Sequence, residues 1–512
     1  MKKYLFVFLW LLMGISLKSQ PTPQNLELLD HYFSSALAEW EVPGLAIAIV
    51  QNDSIIFAKG YGVTDVTTRQ PVNANTLFAV ASNTKAYTAT ALAMLVDEGK
   101  LQWTDKVQKY LPWFRLYDPY VSSNITIADL LSHRSGLATF SGDLIWYGSN
   151  YNRRQVIEKA AFLKPHHGFR EEFGYSNILY LTAGEIIPVV TGQSWDEFVE
   201  QRILQPLGMK RSVLHVSELA LRDNVAQPHT TVDGKTRSIP WLSWDNIAPA
   251  GSLISSANEM ANWLIMNLNE GTFQNKKLIN PERVYELQSA QTPNAVAPSA
   301  KKLFPSTHFK AYGFGWGMMD YLGYKIVQHN GGYDGMVSQT TLIPEKKLGF
   351  VVLTNSNSNL YFALMYKMLD VLLENPTEQD WSKITLERMK KNELWQKETE
   401  AKKAAERNKN SRPSHPLTDF VGMYACPLYD SVEVKTDGKD LYLSMMHTPD
   451  FQGKLSHWQY DSFRVEFPAS PSLPAGIVTF FTNRDGKVDR MEIFIENPDF
   501  DFTEFELRKQ AR

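Results

Sequence analysis

Three short stretches of this chain carry side chains able to do chemistry together. Ser82-Asn83-Thr84-Lys85 sets a hydroxyl and an amine three residues apart, a spacing that brings them to one face of a helix. A serine hydroxyl is a weak nucleophile until a base takes its proton, and a partly desolvated lysine can lose its own proton and act as that base. Tyr175-Ser176-Asn177 adds a phenol and an amide. Near two cations the phenol can be held as phenolate and work as a general acid and base, while the amide of Asn177 can orient Lys85 and a substrate carbonyl. His329-Asn330-Gly331-Gly332 offers backbone without side chains, where a ligand can approach closely. The N–H of Gly332 paired with that of Ser82 would form an oxyanion hole, each donor worth roughly 3 kcal/mol of barrier. Singly, each stretch has a plainer explanation: an exposed helix start, a core tyrosine, and a glycine-rich turn with a structural histidine. Their order and separations are far more specific than any one of them.

The elements around them have to bring these stretches together. Ala86 to Asp97 has apolar residues at helical spacing and stops at Gly99, which places Ser82 near a helix N-terminus where developing negative charge is favoured. Gly44 to Val50 and Ser54 to Lys59 read as a hairpin joined at Gln51-Asn52-Asp53. Tyr175 leads into a helical stretch from Ile178 to Val190, and Leu253 to Leu268 is helical again. Tyr324 to His329, Ser338 to Ile343 and Leu348 to Asn355 read as strands, and Leu360 to Leu373 as a closing helix. Strands, then helices, then strands predict an α+β domain, with one antiparallel sheet assembled from both ends of the segment and helices inserted between.

The region from Pro376 to Pro416 contains the charged, alanine-rich run Glu398 to Lys409 and then Ser411-Arg412-Pro413-Ser414-His415-Pro416. It reads as a solvated helix followed by a stiff linker, in preference to a basic interaction patch. From Leu417 to Arg512 short alternating segments are punctuated by Asp437-Gly438 and Asp485-Gly486, the pattern of a separate antiparallel β domain, a barrel or sandwich. The expected division is 1–19 as a signal peptide, 20–377 as the domain holding the chemistry, 378–416 as a charged helical linker, and 417–512 as the β domain.

At 512 residues the chain is too long for a single compact core. With 52 Lys and Arg against 55 Asp and Glu, its net charge of -3 offers no electrostatic reason to expect nucleic acid or an anionic membrane as partner. Lys2 and Lys3, the apolar stretch Tyr4 to Leu17, the small Ser19 and the polar segment Gln20 to Gln24 have the layout of a secretory signal peptide, so a protein exported to the periplasm or beyond is expected. No later segment reaches the ~20 apolar residues of a membrane span. Cys426, the single cysteine, cannot form an intramolecular disulfide and reads as a buried structural thiol. Other chemistries lack their signatures: there is no G-x-S-x-G elbow and no H-E-x-x-H, and Gly313-Phe314-Gly315-Trp316-Gly317 lacks the third glycine and the βαβ frame of a dinucleotide loop.

Taken together, the three stretches resemble those of the serine β-lactamase-related family, which includes class C β-lactamases, penicillin-binding proteins, D-aminopeptidases and some esterases. The resemblance covers roughly Leu26 to Thr377 and extends to Leu95 to Leu101 (LVDEGKL), Ile125 to Leu137 (ITIADLLSHRSGL), Phe173 to Asn177 (FGYSN), Pro206 to Met209, Ala250 to Leu253 and His329 to Gly335. It implies a β-lactamase/transpeptidase-like fold and a serine hydrolase. In that scheme Ser82 forms an acyl-enzyme, Lys85 and Tyr175 shuttle its proton, Asn177 holds the substrate amide, and Ser82 and Gly332 bind the oxyanion beside Gly331. His329 stands where many β-lactamases carry the lysine of K-T-G, a departure that weakens the case for β-lactam hydrolysis or for strict carboxylate recognition. The implied partner is a small molecule or short peptide, of the kind that contains D-amino acids or derives from cell wall, with no metal or organic cofactor. A carboxylesterase with the same residues, a weak β-lactamase and a non-catalytic wall-binding protein are the competing readings.

Overall fold

The computed structural model describes residues 21–232, 234–375 and 379–511. The expected signal peptide and the expected boundary at 377/378 lie outside these residues.

Helix α1 (Pro23–Glu39) opens the structure, followed by strands β1 (Gly44–Gln51) and β2 (Ser54–Gly62). Helices α2 (Thr84–Asp97), α3 (Asp143–Trp146), α4 (Asn177–Gly184) and α5 (Ala257–Leu268) belong to the long insertion that comes next. Strands β3 (Thr292–Asn294), β4 (Lys310–Tyr312), β5 (Gly317–Tyr321), β6 (Tyr324–Tyr333), β7 (Met336–Ile343) and β8 (Leu348–Thr354) return the chain to the sheet, and α6 (Leu360–Leu372) closes it. The sheet is antiparallel, in the order β2-β1-β8-β7-β6-β5-β4-β3. The two ends of the segment therefore meet at the β1–β8 pair.

Central strand β1 shows why this arrangement is stable. Every residue of its GLAIAIVQ sequence is buried, because the sheet is covered on both faces. Leu45, Ile47 and Ile49 point into a cluster with Phe33 of α1 and Leu364 and Met368 of α6. Ala46, Ala48 and Val50 alternate to the other face, into the cluster that holds Leu92 of α2 and Trp263 of α5. Helix α2 is buried from Thr84 to Leu95, the polar Thr84, Lys85, Thr88 and Thr90 included.

Helix α7 (Trp381–Glu406) is anchored at its start, where Trp381 Nε1 donates to Asp370 of α6 at 2.5 Å, and runs out largely exposed. The following linker is fastened to the last domain, with Ser414 bonded through its N–H and hydroxyl to Asp461. That domain is a closed eight-stranded barrel: β9 (Gly422–Cys426), β10 (Asp430–Thr436), β11 (Leu441–Met445), β12 (Gln452–Gln459), β13 (Ser462–Val465), β14 (Gly476–Thr482), β15 (Val488–Phe494) and β16 (Leu507–Lys509). Its interior, with Phe451, Phe463 and Phe480, is continuous with the core of the first domain through Tyr147 and Tyr151. Cys426 is buried and free, and burial pushes its thiol up. Among the described residues no helix is long and apolar enough to cross a membrane.

Candidate active site

Ser82 lies in a single 3₁₀ turn, Ala81–Asn83, that feeds directly into α2. The helix begins at Thr84, two residues ahead of the expected start, so Lys85 sits in its first turn. Ala81 holds a φ of 46°, an uncommon conformation for a residue with a side chain. The turn is pinned from behind by β7: Asn83 Nδ2 donates to Ser338 Oγ at 2.8 Å, and Ser338 Oγ donates to the Val80 carbonyl at 2.7 Å.

The Lys85 side chain is 0% exposed. Its Nζ lies 2.6 Å from Asn177 Oδ1, 2.8 Å from the Ala250 carbonyl and 3.1 Å from Ser82 Oγ. Burial drives its pKa down to about 7, against the opposing charge of Asp143. The three contacts define what the neutral amine does. Asn177 Oδ1 and the Ala250 carbonyl only accept, so they take the two N–H bonds of the amine and turn its lone pair to Ser82.

Tyr175 completes this corner. Its ring lies 4.7 Å from Lys85 Nζ, and Ser82 is the polar side chain that acts on its phenol. Burial, aided by the charge of Asp143, pushes the phenol far above its ordinary range in spite of the Ser82 contact. The phenolate anticipated for this residue is therefore disfavoured, and Tyr175 is a protonated phenol at neutral pH. The second cation that a phenolate would need is absent, because His133 and His329, the two imidazoles beside it, are both kept neutral. The ring of His133 lies tilted 4.4 Å from that of Tyr175 and accepts the Ser176 N–H on Nδ1 at 3.0 Å, and burial holds it far below the usual histidine range. Helix α4 begins at Asn177 with Ser176 as its cap.

His329 is buried on β6, with its pKa lowered to about 3 by burial and then by the charge of Lys85. Its Nδ1 lies 2.6 Å from the Asn330 carbonyl, which only accepts, so Nδ1 carries the proton. Nε2 then accepts from the Tyr312 hydroxyl at 2.9 Å. The position that holds a cation in many β-lactamases is here an uncharged ring. Gly331 and Gly332, expected in a turn, lie inside β6, paired with Ser338 and Val337; the turn comes later, at Asp334-Gly335. Local glycine content suggested a turn, and long-range pairing with β7 overrode it. A Cβ on Gly331 would stand 2.2 Å from the Val80 carbonyl and 2.9 Å from Ser82 N, so only glycine lets β6 come this close to the Ser82 turn. Gly332 faces open space. β5 pairs with β6 only as far as Gln328, so beyond it one backbone edge of β6 faces the cleft.

Two contributors carry no motif. Asp143, at the start of α3, accepts from Asn177 Nδ2 at 2.6 Å and from Trp146 Nε1 at 2.9 Å, and burial raises its carboxyl to about 7. The Ala250 carbonyl comes from a stretch noticed only as part of the family likeness. The cleft in front of Ser82 has a volume of about 990 Å³ and is walled by both domains, with Tyr147 and Asp334 of the first and Ser472, Asp499 and Phe500 of the second among its lining residues. No cluster of His, Cys, Asp and Glu among the described residues has the makings of a metal site.

Comparison with known proteins identifies the family to which this fold belongs. The β-lactamase family model matches residues 29–373, and a domain of unknown function (DUF3471) matches residues 406–509. The chain belongs to the β-lactamase family. The unguisins hydrolase ungD of Aspergillus violaceofuscus is 28% identical over 454 residues, covering 84% of this chain and 79% of its own length. Protein flp of Staphylococcus aureus (strain MW2) is 29% identical over 348 residues, covering 66% of this chain and 64% of its own. The octameric penicillin-binding protein homologue from Pyrococcus abyssi shares the fold, with a TM-score of 0.60 at 24% identity over 94% of this chain and 100% of that one.

Proposed function

We propose that the protein is a serine hydrolase that works through an acyl-enzyme on Ser82. The observation that carries this reading is the amine of Lys85: buried, depressed to about 7, and hydrogen-bonded so that its lone pair meets the Ser82 hydroxyl. Ser82 Oγ attacks the substrate carbonyl carbon while its proton passes to Lys85 Nζ. The N–H groups of Ser82 and Gly332 receive the oxyanion. On collapse the carbonyl–nitrogen bond breaks, and the phenol of Tyr175 protonates the departing amine while Lys85 returns the proton to Tyr175. Water then attacks the ester by the same route in reverse, and Ser82 recovers its hydrogen.

The substrate is a small amide, with D-amino-acid-containing peptides and cell-wall fragments as the favoured class. Asp334 and Asp499 in the lining of the cleft suit a substrate ammonium, and the neutral His329 suits a substrate without a carboxylate at that position. The similar ungD protein is itself named a hydrolase. An ester is the alternative substrate for the same residues. Export rests on Lys2, Lys3 and the apolar stretch up to Ser19, and N-terminal sequencing of the secreted protein should then begin at Gln20.

Fluorophosphonate labelling of the wild type against Ser82→Ala tests the reading: label on the first and none on the second is expected. A wild type that takes no label would sink it and favour a non-catalytic wall-binding protein. Mass spectrometry of Ser82 after exposure to D-aminoacyl p-nitroanilides, p-nitrophenyl esters and penicillins then ranks the substrate classes.

A further inference from the structure

The barrel reaches the catalytic corner through one carboxylate. Glu504 lies in a 3₁₀ turn, Phe502–Glu504, between β15 and β16. Its Oε1 accepts the Ser141 hydroxyl at 2.5 Å and its Oε2 accepts the Gly142 N–H at 2.9 Å. Gly142 is the residue before α3, and with no side chain it cannot cap that helix. The acceptor for this helix start comes from the other domain.

Asp143, the first residue of α3, is the next link. Both of its oxygens accept, one from Trp146 and one from Asn177. An amide can sit either way round, and an acceptor on one side turns its oxygen to the other. Asp143 therefore fixes which end of Asn177 faces Lys85. With the amide reversed, Lys85 would meet an NH₂ group and its lone pair would no longer be directed at Ser82.

We infer that Glu504 of the barrel is a positioning residue for the Lys85 amine, acting through Ser141 and Gly142, then Asp143, then Asn177. The inference rests on Lys85 being the base, as proposed above. The domain of unknown function is on this view a working part of the active site. The charged and titratable groups facing the path are few. Lys85 faces Asp143, Tyr175, Tyr180, His133 and His329; Asp143 faces Lys85, Tyr175 and Glu504; Glu504 faces Asp501.

The test is the rate of fluorophosphonate labelling of Ser82 in the full chain between pH 5 and 10. Asp143→Asn should lower the plateau about a hundredfold, because misorienting a catalytic group by about 1 Å costs that much. It should also move the midpoint to lower pH, since the carboxylate favours the ammonium form of Lys85. Glu504→Gln should lower the plateau by roughly tenfold and move the midpoint the other way, because the charge of Glu504 opposes ionisation of Asp143. Ser141→Ala, which keeps that charge, should slow labelling with no midpoint shift. In the double variant Asp143→Asn/Glu504→Gln the midpoint should equal that of Asp143→Asn alone. Glu506→Gln is the control: it removes another barrel carboxylate that meets the first domain, through Lys164, away from this path, and should label like wild type. A wild type that labels normally while Glu504→Gln matches it in plateau and midpoint would overturn the inference, as would an equal loss in Glu506→Gln. Failure of the wild type to label would instead count against the hydrolase reading itself.

Discussion

Two buried aspartates in this molecule have opposite fates. Asp129 is 0% exposed and Asp143 is 4% exposed. Asp129 caps its own helix with Thr126 and is gripped by Arg134 at 2.5 Å and Arg170 at 2.7 Å. Burial pulls its pKa upward, but the hydrogen bonds and guanidinium charges outweigh it, and the carboxylate stays below its ordinary range. Asp143 has two neutral N–H donors and no arginine; the cation acting on it is Lys85, an amine that can itself lose its proton. Both members of this second pair are pushed toward their uncharged forms, each to about 7. A buried acid beside permanent cations is structure. One whose cation can vanish is left poised to titrate, which a proton-transferring site requires.

Replacement of Lys85 by Met should break the contrast most visibly. Labelling of Ser82 should fall by about 10²–10⁴-fold, the usual range for loss of a general base. Folding stability should change little at pH 7, because the desolvation of the amine is relieved while Asn177 Oδ1 and the Ala250 carbonyl lose their donor. Asp129→Ala should do the reverse. Guanidinium unfolding should show a loss of roughly 2–4 kcal/mol, from the cap and the charged hydrogen bonds, while the folded fraction labels within about threefold of wild type. An Asp129 variant as stable as wild type would remove the comparison's structural half.

The pH dependence sharpens the same contrast. Labelling of the wild type should rise with pH and be half-maximal near pH 7, where Lys85 becomes neutral. A midpoint near 10 would mean that the amine is not desolvated. Stability should follow linkage. Between about 7 and 10.5 the unfolded chain holds a proton on Lys85 that the folded chain lacks, so stability from this group increases with pH across that window. Between 3.8 and about 7 the folded chain holds a proton on Asp143 that the unfolded chain lacks, so that group's contribution falls as pH rises. Asp129 behaves in the opposite sense: its contribution is complete above its ordinary pKa and is lost as pH falls through the lowered one. The smallest expected effect is the flattening of the stability curve above pH 7 in Lys85→Met, read by thermal melts at pH 7 and pH 9.

Much of this was legible in the order of residues. The S-x-x-K spacing put Ser82 and Lys85 on one turn, and FGYSN led into a helix that carries Asn177 to the amine. β1 announced itself by a run of apolar residues that the structure buries on both faces. Asp437-Gly438 and Asp485-Gly486 marked a β domain that proves to be a closed barrel. Asp143 and Glu504 left no mark, since nothing in the spacing of Ser141, Asp143, Asn177 and Glu504 links them; they meet because the insertion around Tyr147 and Tyr151 packs on the barrel. The same holds for Gly331 and Gly332, read as a turn and found in a strand.

What the residues determined alone was therefore the set of reactive groups and the local elements that present them, because helix periodicity and strand alternation depend on near neighbours. The protonation of those groups was decided only by the tertiary structure. Lys85, Asp143, Tyr175 and His329 depart from their ordinary behaviour chiefly through desolvation, and desolvation is set by what packs over a side chain from distant parts of the fold.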